Sequence, residues 1–374
     1  MIPLFLDEIR DTPSGELIGR HYRDGGAIRL GWRDHAITSL ERIDAAPEGA
    51  PWIAPALVDV QVNGYAGVDF QQDSVGEAEL LQAARGMRRD GCPRFLLTLI
   101  TREWKAHLGQ LARLKAIRDA NPELRNAIFG WHIEGPFISG EPGFIGAHDP
   151  EVACNPTPQA IDELKSVVGE DPLLLTLAPE RPGSAEAIAR ARELGIVTSA
   201  GHTNASRAQL DAAADAGLSA FTHLGNGCPQ QLDRHDNILW RVLDQNRLVA
   251  GIIPDTHHVT APVFRLFHRL LPPQQIYWTT DAMTGAGAPP GCYTMGRLMI
   301  EVGEDRIARQ PGMQNFAGST VDPLSAIRNG AAMLGKSWNE VWDFFSVNPA
   351  RLMGRSVGLE IGSEAVFCLL KETE

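Results

Sequence analysis

From about residue 54 onward, short apolar runs alternate with helical patterns. The runs are APALVDVQVN, RFLLTLIT, AIFGWHIEG, LLLTLAPE, VTSAGHT, AFTHLGN, LVAGIIPD and IYWTTDA. Strands that are apolar on both faces and joined by helices belong in a parallel sheet covered on both sides. Eight such units are the count of a (β/α)8 barrel of the TIM type. The segments between them read as helices: 76–91 and 184–195 stop at glycine, and 204–217 opens with Asn and stops the same way.

Nearly every run stays apolar until it ends on a polar group. In order these are Gln61 and Asn63, Thr101, Glu134, Glu180, His202, His223, Asp255 and Asp281. All strand C-termini of such a barrel converge on one face, and that face carries the active site. Residues far apart in the chain are therefore expected to share one pocket.

The ends do not follow the barrel pattern. Residues 1–53 and 355–374 read as short strand-like pieces and turns, two parts of a small β unit outside a barrel spanning 54–354. The whole is an α/β chain whose 374 residues suit a large barrel plus a smaller unit. The Gly/Pro-rich TGAGAPPGCY (284–293) is expected to be an active-site loop, followed by an inserted hairpin to about 315 and helices near 321–335 and 337–347.

A formal charge of −12 argues against nucleic acid or an anionic membrane as partner. Five scattered cysteines, never spaced C-x-x-C, favour reduced thiols in a cytoplasmic protein over disulfides or a thiolate zinc site. The N-terminal MIPLFLDEIR has early acids and is not expected to be a signal peptide. No apolar run approaches the ~20 residues of a membrane span.

Glu134, His202 and His223 end the third, fifth and sixth runs. One carboxylate and two imidazoles suit a catalytic divalent metal with one position left open for water. A lone histidine near a core is more often just hydrogen-bonded; three such groups at strand ends of one barrel favour the metal. His132, two residues before Glu134, is expected one layer below, as a structural neighbour of the ligands. Asp281 could merely cap a turn. Facing a metal site, it could take a proton from water and later give one to a leaving group. The chain contains no G-x-G-x-x-G or P-loop pattern for a nucleotide.

The segments GWHIEGPF, SAGHTNA, FTHLGN, WTTDAM and FAGST…AIRN resemble the signature segments of N-acetylglucosamine-6-phosphate deacetylases in the amidohydrolase superfamily. They occur in the family's order, from about 54 to 354. The resemblance implies a metal-bearing barrel with a small β-sandwich built from both chain ends. It implies Glu134, His202 and His223 as metal ligands and Asp281 as catalytic acid and base. It implies substrate contacts from His148, from Asn226 and Gly227, from His258 and from Phe316–Ala317–Gly318. It also implies that Arg234 reaches the phosphate in the partner's site of a homodimer. His257 is expected to be a bystander.

Family members with H-x-H at the first strand hold two metals, and those with Q-x-N hold one. Gln61 and Asn63 resemble the second group, so they stand where a second metal's ligands would be. One divalent ion per subunit is expected: zinc first, although Glu-His-His also suits iron, manganese or cobalt. The family usually has an aromatic residue and then N-A-M after the sixth-strand histidine. Here the run is HLGNGCP, and Gly225 and Gly227 remove side chains near the sugar. The expected activity is removal of acetate from N-acetylglucosamine 6-phosphate. The alternatives are a deacetylase for an unphosphorylated or other N-acetylated amino sugar, a cyclic-amide hydrolase, or a non-catalytic sugar-binding relative. The fourth run offers no lysine to bridge two metals, as many cyclic-amide hydrolases require.

Overall fold

The computed structural model describes residues 4–312 and 316–372. Residues 1–3, 313–315 and 373–374, which include the extreme ends of the expected β unit and the far end of the expected hairpin, lie outside the described residues.

All eight apolar runs become strands of one sheet. Val58–Val62, Arg94–Ile100, Ile128–Glu134, Leu173–Leu177, Val197–Ala200, Ala220–Phe221, Val249–Ile252 and Ile276–Trp278 lie side by side in chain order. Every neighbouring pair is parallel. A parallel bridge between Val62 and Ala282 brings the first strand against the end of the eighth and closes the barrel.

Asp59 ties that seam. Its Oδ1 accepts from the Gln61 N–H at 3.1 Å and the Thr279 hydroxyl at 2.5 Å; its Oδ2 accepts from the Thr280 N–H at 3.1 Å and hydroxyl at 2.5 Å. Burial pushes this carboxyl up to about 6 although all four hydrogen bonds favour its charged form. The residue sits inside a run that reads as apolar, so the sequence pattern passes over it.

The helices Glu77–Arg89 and Ser184–Glu193 fall where the periodicity places them. The third expected helix starts later than Asn204: it spans Arg207–Ala216, capped by Ser206. Ser206 and Gln209 close a reciprocal capping box, which outcompetes Asn204 as a start signal. Asn204 instead donates its backbone N–H to Glu180 at 2.7 Å. The expected helix 337–347 is broken into Trp338–Val341, a 3₁₀ turn Trp342–Phe345 and Val347–Leu352. The cause is anchoring to the chain before the barrel: Trp342 Nε1 donates to the Pro55 carbonyl at 2.8 Å and the Ser346 hydroxyl to the Ala56 carbonyl at 2.8 Å. The final helix of the barrel layer, Pro323–Leu334, begins on an Asp322 cap.

Both chain ends meet in one six-stranded sheet, in the order Leu4–Arg10, Phe367–Glu372, Trp52–Pro55, Gly15–His21, Ala27–Arg33, Ala36–Arg42. The excursion after the eighth barrel strand is richer than a hairpin. Gly291–Met295, Leu298–Val302 and Ala308–Arg309 form an antiparallel sheet of three strands. Its inner face builds a small apolar cluster with Met283 and Ala317, separate from the main core. Among the described residues, no helix is long and apolar enough to cross a membrane.

Candidate active site

The strand ends converge as the barrel demands. Glu134, His202, His223 and Asp281 line one cavity of about 690 Å³ at the C-terminal mouth, together with Asn63 and His148. Three of these adopt a left-handed backbone that side chains rarely tolerate: His202 at φ 49°, His223 at φ 35° and Asp281 at φ 50°. Such conformations cost roughly 1–3 kcal/mol each and persist only where the surroundings over-determine them. No residue pattern in the sequence announces them.

Glu134 is buried between the two imidazoles, its Oε1 3.0 Å from His223 Nε2 and 3.4 Å from His202 Nε2. The candidate ligand atoms of all three lie within 4.8 Å of one another. His202 Nδ1 lies 2.8 Å from the Phe144 carbonyl, which can only accept, so that nitrogen carries the hydrogen. In the neutral ring, Nε2 then turns a lone pair toward the Glu134 carboxylate. Two acceptors facing each other at 3.4 Å need a cation between them, and a divalent metal fits the donor set. Burial alone would raise the Glu134 carboxyl, but the adjoining imidazoles of His202 and His223 outweigh burial and hold it well below the usual range. Burial likewise works against charge on His223, and the Glu134 contact overrides it and raises that imidazole.

Gln61 and Asn63 are bonded to the site's two carboxylates. Gln61 Nε2 donates to Glu134 Oε1 at 3.0 Å, and Asn63 Nδ2 donates to Asp281 Oδ1 at 2.7 Å. Their own carbonyl oxygens are buried without a protein partner. An amide can donate to a carboxylate where a neutral imidazole would offer a lone pair to a metal. Asp281 is held from the other side by the 316–319 segment, where the Ser319 N–H donates to the Asp281 carbonyl at 2.9 Å. Withdrawal from water, followed by the Glu134 charge, pushes the Asp281 carboxyl up to about 7.

His148 packs edge-on against His202, ring centres 4.4 Å apart, and its Nδ1 lies 2.8 Å from the Thr101 hydroxyl. Burial, then the His202 ring, pushes His148 down to about 3, so it is neutral near pH 7. His132 lies one layer below, its Nε2 2.8 Å from the Thr176 hydroxyl, which continues to Thr222 and Ser199. Four of the polar strand-end residues do not line the cavity: Gln61 and Thr101 act on it through Glu134 and His148, and Glu180 and Asp255 are engaged elsewhere. Glu180 accepts from the Thr203 hydroxyl and the Asn204 N–H and shapes the turn after the fifth strand. Asp255 bonds His258 Nδ1 at 2.6 Å and thereby orients that ring toward Phe316, 4.9 Å away.

The far lobe of the cavity is lined by Asn226, Gly227, His258, Phe316 and Gly318, while Ala317 is buried in the cluster behind. Asn226 Nδ2 is buried without a protein partner. A Cβ on Gly227 would come within 3.1 Å of His223 and 3.2 Å of His202, so the absence of a side chain there relieves the two imidazoles. One on Gly225 would meet Val259 and Phe267, which makes that departure a matter of packing under the loop. Arg234 is exposed on the loop beyond and does not line the cavity of its own chain. Among the described residues, no lysine or arginine does. His257 is exposed, with its N–H on Asp255. Sequence reasoning missed Ile100, Ala147 and Met295, which form an apolar wall beside His148. Only Ala147, adjacent to His148 in the chain, carried a signal that could have found it.

No protein-family model matches the chain. It is 30% identical over 353 residues to the N-acetylglucosamine-6-phosphate deacetylase of Danio rerio, covering 91% of this chain and 84% of that protein. An N-acetylgalactosamine-6-phosphate deacetylase of Escherichia coli O157:H7 is 28% identical, over 87% of this chain and 86% of that one. Among solved structures, the N-acetyl-D-glucosamine-6-phosphate deacetylase of Mycobacterium smegmatis superposes with a TM-score of 0.83 at 27% identity, covering 94% of each chain. That structure is of a mutant in complex with N-acetyl-D-glucosamine-6-phosphate.

Proposed function

The chain belongs to the N-acetylglucosamine-6-phosphate deacetylase family, and from that membership we propose that it removes acetate from N-acetylglucosamine 6-phosphate with one divalent metal per subunit. The observation that carries the reading is the convergence of Glu134, His202 and His223 with Asp281 in one cavity. Glu134, His202 and His223 would hold the metal, for which zinc is our choice. Bound there, such an ion lowers the pKa of water and polarises a carbonyl.

The remaining work falls to the chain's own residues. Asp281 takes a proton from the attacking water and delivers one to the departing amine. A carboxyl poised near neutral pH suits both directions of transfer. Asn63 fixes Oδ1 and leaves the other oxygen for the proton. With Nδ1 accepting from the Thr101 backbone N–H at 3.4 Å, neutral His148 carries its hydrogen on Nε2 and can donate to the acyl oxygen. Gln61 keeps Glu134 turned toward the imidazoles. The amides of Gln61 and Asn63 already hold the carboxylates that a second ion would need, which supports a single metal.

A phosphate dianion needs donors, and Asn226 and His258 are among those this chain brings to the cavity, with the amides of Gln230 and Gln310. A guanidinium must come from elsewhere, and Arg234 of a second copy supplies a planar fork suited to phosphate oxygens. The exposed Trp240, whose ring N–H donates to the Arg234 carbonyl, supports a homodimer through this face. We read residues 1–53 with 355–374 as the small unit and 54–354 as the catalytic one. All five cysteines are free, which suits a cytoplasmic enzyme. The test is to compare kcat/KM for N-acetylglucosamine with and without the 6-phosphate. Preference for the phosphorylated sugar is expected. Preference for the free sugar would favour the unphosphorylated alternative, to which a cavity without its own cation lends weight.

A further inference from the structure

Behind the site lies a second cavity of about 430 Å³, and the two cavities share four lining residues: Ile100, Ala147, His148 and Met295. The partition is therefore one side chain thick. Ile100 ends the second barrel strand beside Thr101, whose hydroxyl contacts His148. Ala147 precedes His148. Met295 ends the first strand of the three-stranded excursion, and all three wall residues belong to the small apolar cluster that this excursion builds. The catalytic cavity thus has two unlike lobes. One carries Asn226, His258 and glycine backbone and suits a hydroxylated ring with a charged group. The other, beside His148, is lined by Ile100, Ala147 and Met295 and suits the methyl of an acetyl group.

We propose that Ile100, Ala147 and Met295 form an acyl-length wall, and that the cavity behind them is a latent subsite for linear N-acyl chains longer than acetyl. The inference rests on the deacetylase reading. The second cavity is lined by apolar Val152 and Leu298 in addition to the wall residues, and by polar groups that include Gln71, Gln110 and the ion pairs Arg102–Asp73 and Arg297–Asp149. An alkyl chain that passed the wall would find apolar surface on Val152 and Leu298 beside those polar groups. The reaction is unchanged: water adds its oxygen to the acyl carbon, the C–N bond breaks, the amine takes the proton and the acid leaves as carboxylate. The excursion thereby gains a role, since it delivers Met295 to the barrel mouth.

The test measures kcat/KM for N-acetyl-, N-propionyl- and N-butyryl-glucosamine 6-phosphate in wild type, Met295→Ala and Ile100→Ala. These two substitutions sit on different elements, so a folding failure in one leaves the other, and melting curves monitor both. Wild type should discriminate against butyryl. Each variant should raise the butyryl-to-acetyl ratio at least ~10-fold, the scale of selectivity an added methylene commands in an apolar pocket. Adding Val152→Phe, which refills the second cavity, to Met295→Ala should remove the gain. Wild type that already takes butyryl as readily as acetyl overturns the proposal, as do ratios unmoved in both variants. Wild type without turnover of the acetyl sugar, with or without its 6-phosphate, overturns the deacetylase reading and this inference with it.

Discussion

The metal side and the sugar side of the cavity are built on opposite terms. Around Glu134, each carboxylate and two of the imidazoles are held by a partner from the chain: Gln61 on Glu134, Phe144 behind His202, Asn63 on Asp281, Thr101 on His148. Around Asn226 and Gly227 the walls are loop backbone, an orphaned amide and a histidine, with no cationic side chain of lysine or arginine type among the described residues. One side is complete within a single chain, and the other waits for donors. The difference teaches that bond breaking and phosphate recognition are separable in the function proposed above, the first assigned to the barrel strands and the second to a site that a second copy would complete.

The largest effects should come from the complete side. His202→Ala should lose metal and activity together, read by metal analysis and turnover on the same sample. Asp281→Asn should keep the metal and lose kcat by about 10²–10⁴-fold, the scale of general acid–base catalysis. Near-full turnover in Asp281→Asn would break the assignment of that side. Metal analysis of protein saturated with zinc sharpens it further: one ion per chain is expected, and two tightly held ions would mean that the Gln61 and Asn63 amides do not block a second site.

Smaller effects should come from the incomplete side. Arg234→Ala should raise KM for the 6-phosphate roughly 10–100-fold, consistent with ~1.5–3 kcal/mol from a charged hydrogen bond. Hydrolysis of the unphosphorylated sugar should scarcely change. Equal losses on both sugars would show that Arg234 supports folding or assembly and does not read phosphate.

A stability effect probes the packing behind the complete side. His107 is buried beside Trp104 with neither ring nitrogen bonded, and burial, then Arg102, pushes it from 6.5 to about 4. The folded pKa is depressed, so below pH ~6.5 the unfolded chain binds a proton that the native state refuses. Stability should therefore fall as pH drops from about 6.5 toward 4, by roughly 3 kcal/mol from this residue. His107→Leu should flatten that part of the curve in denaturant melts at pH 5 and pH 7. An unchanged slope would place the acid sensitivity in other buried imidazoles, His132 and His268 among them, since burial pushes both to about 4 as well.

The barrel was legible because its signal is local and repeated: apolar runs ending in a polar residue, spaced by helices. Glu134, His202, His223 and Asp281 could be picked out because each stands at such an end. Chain partners were not legible. Glu180 and Asp255 share the same strand-end signature, yet hydrogen bonds to Thr203 and His258 draw them out of the cavity. Asp59 was hidden because its partners, Thr279 and Thr280, lie across the barrel seam. The wall of Ile100 and Met295 was hidden because apolar residues look alike in sequence whether they face a core or a substrate. The break at Ser346 depends on carbonyls some three hundred residues earlier, which no window of sequence contains.

The most direct test of the division between the two sides is complementation. Asp281→Asn and Arg234→Ala proteins, each poorly active on the 6-phosphate, are mixed and allowed to exchange subunits. In a mixed dimer the Arg234→Ala chain keeps Asp281 and borrows Arg234 from its partner, so one site is whole. Activity should recover to about a quarter of wild type, because half of the dimers are mixed and each carries one intact site of two. No recovery, with mixed dimers verified by mass, would place Arg234 in its own chain's site and contradict the account.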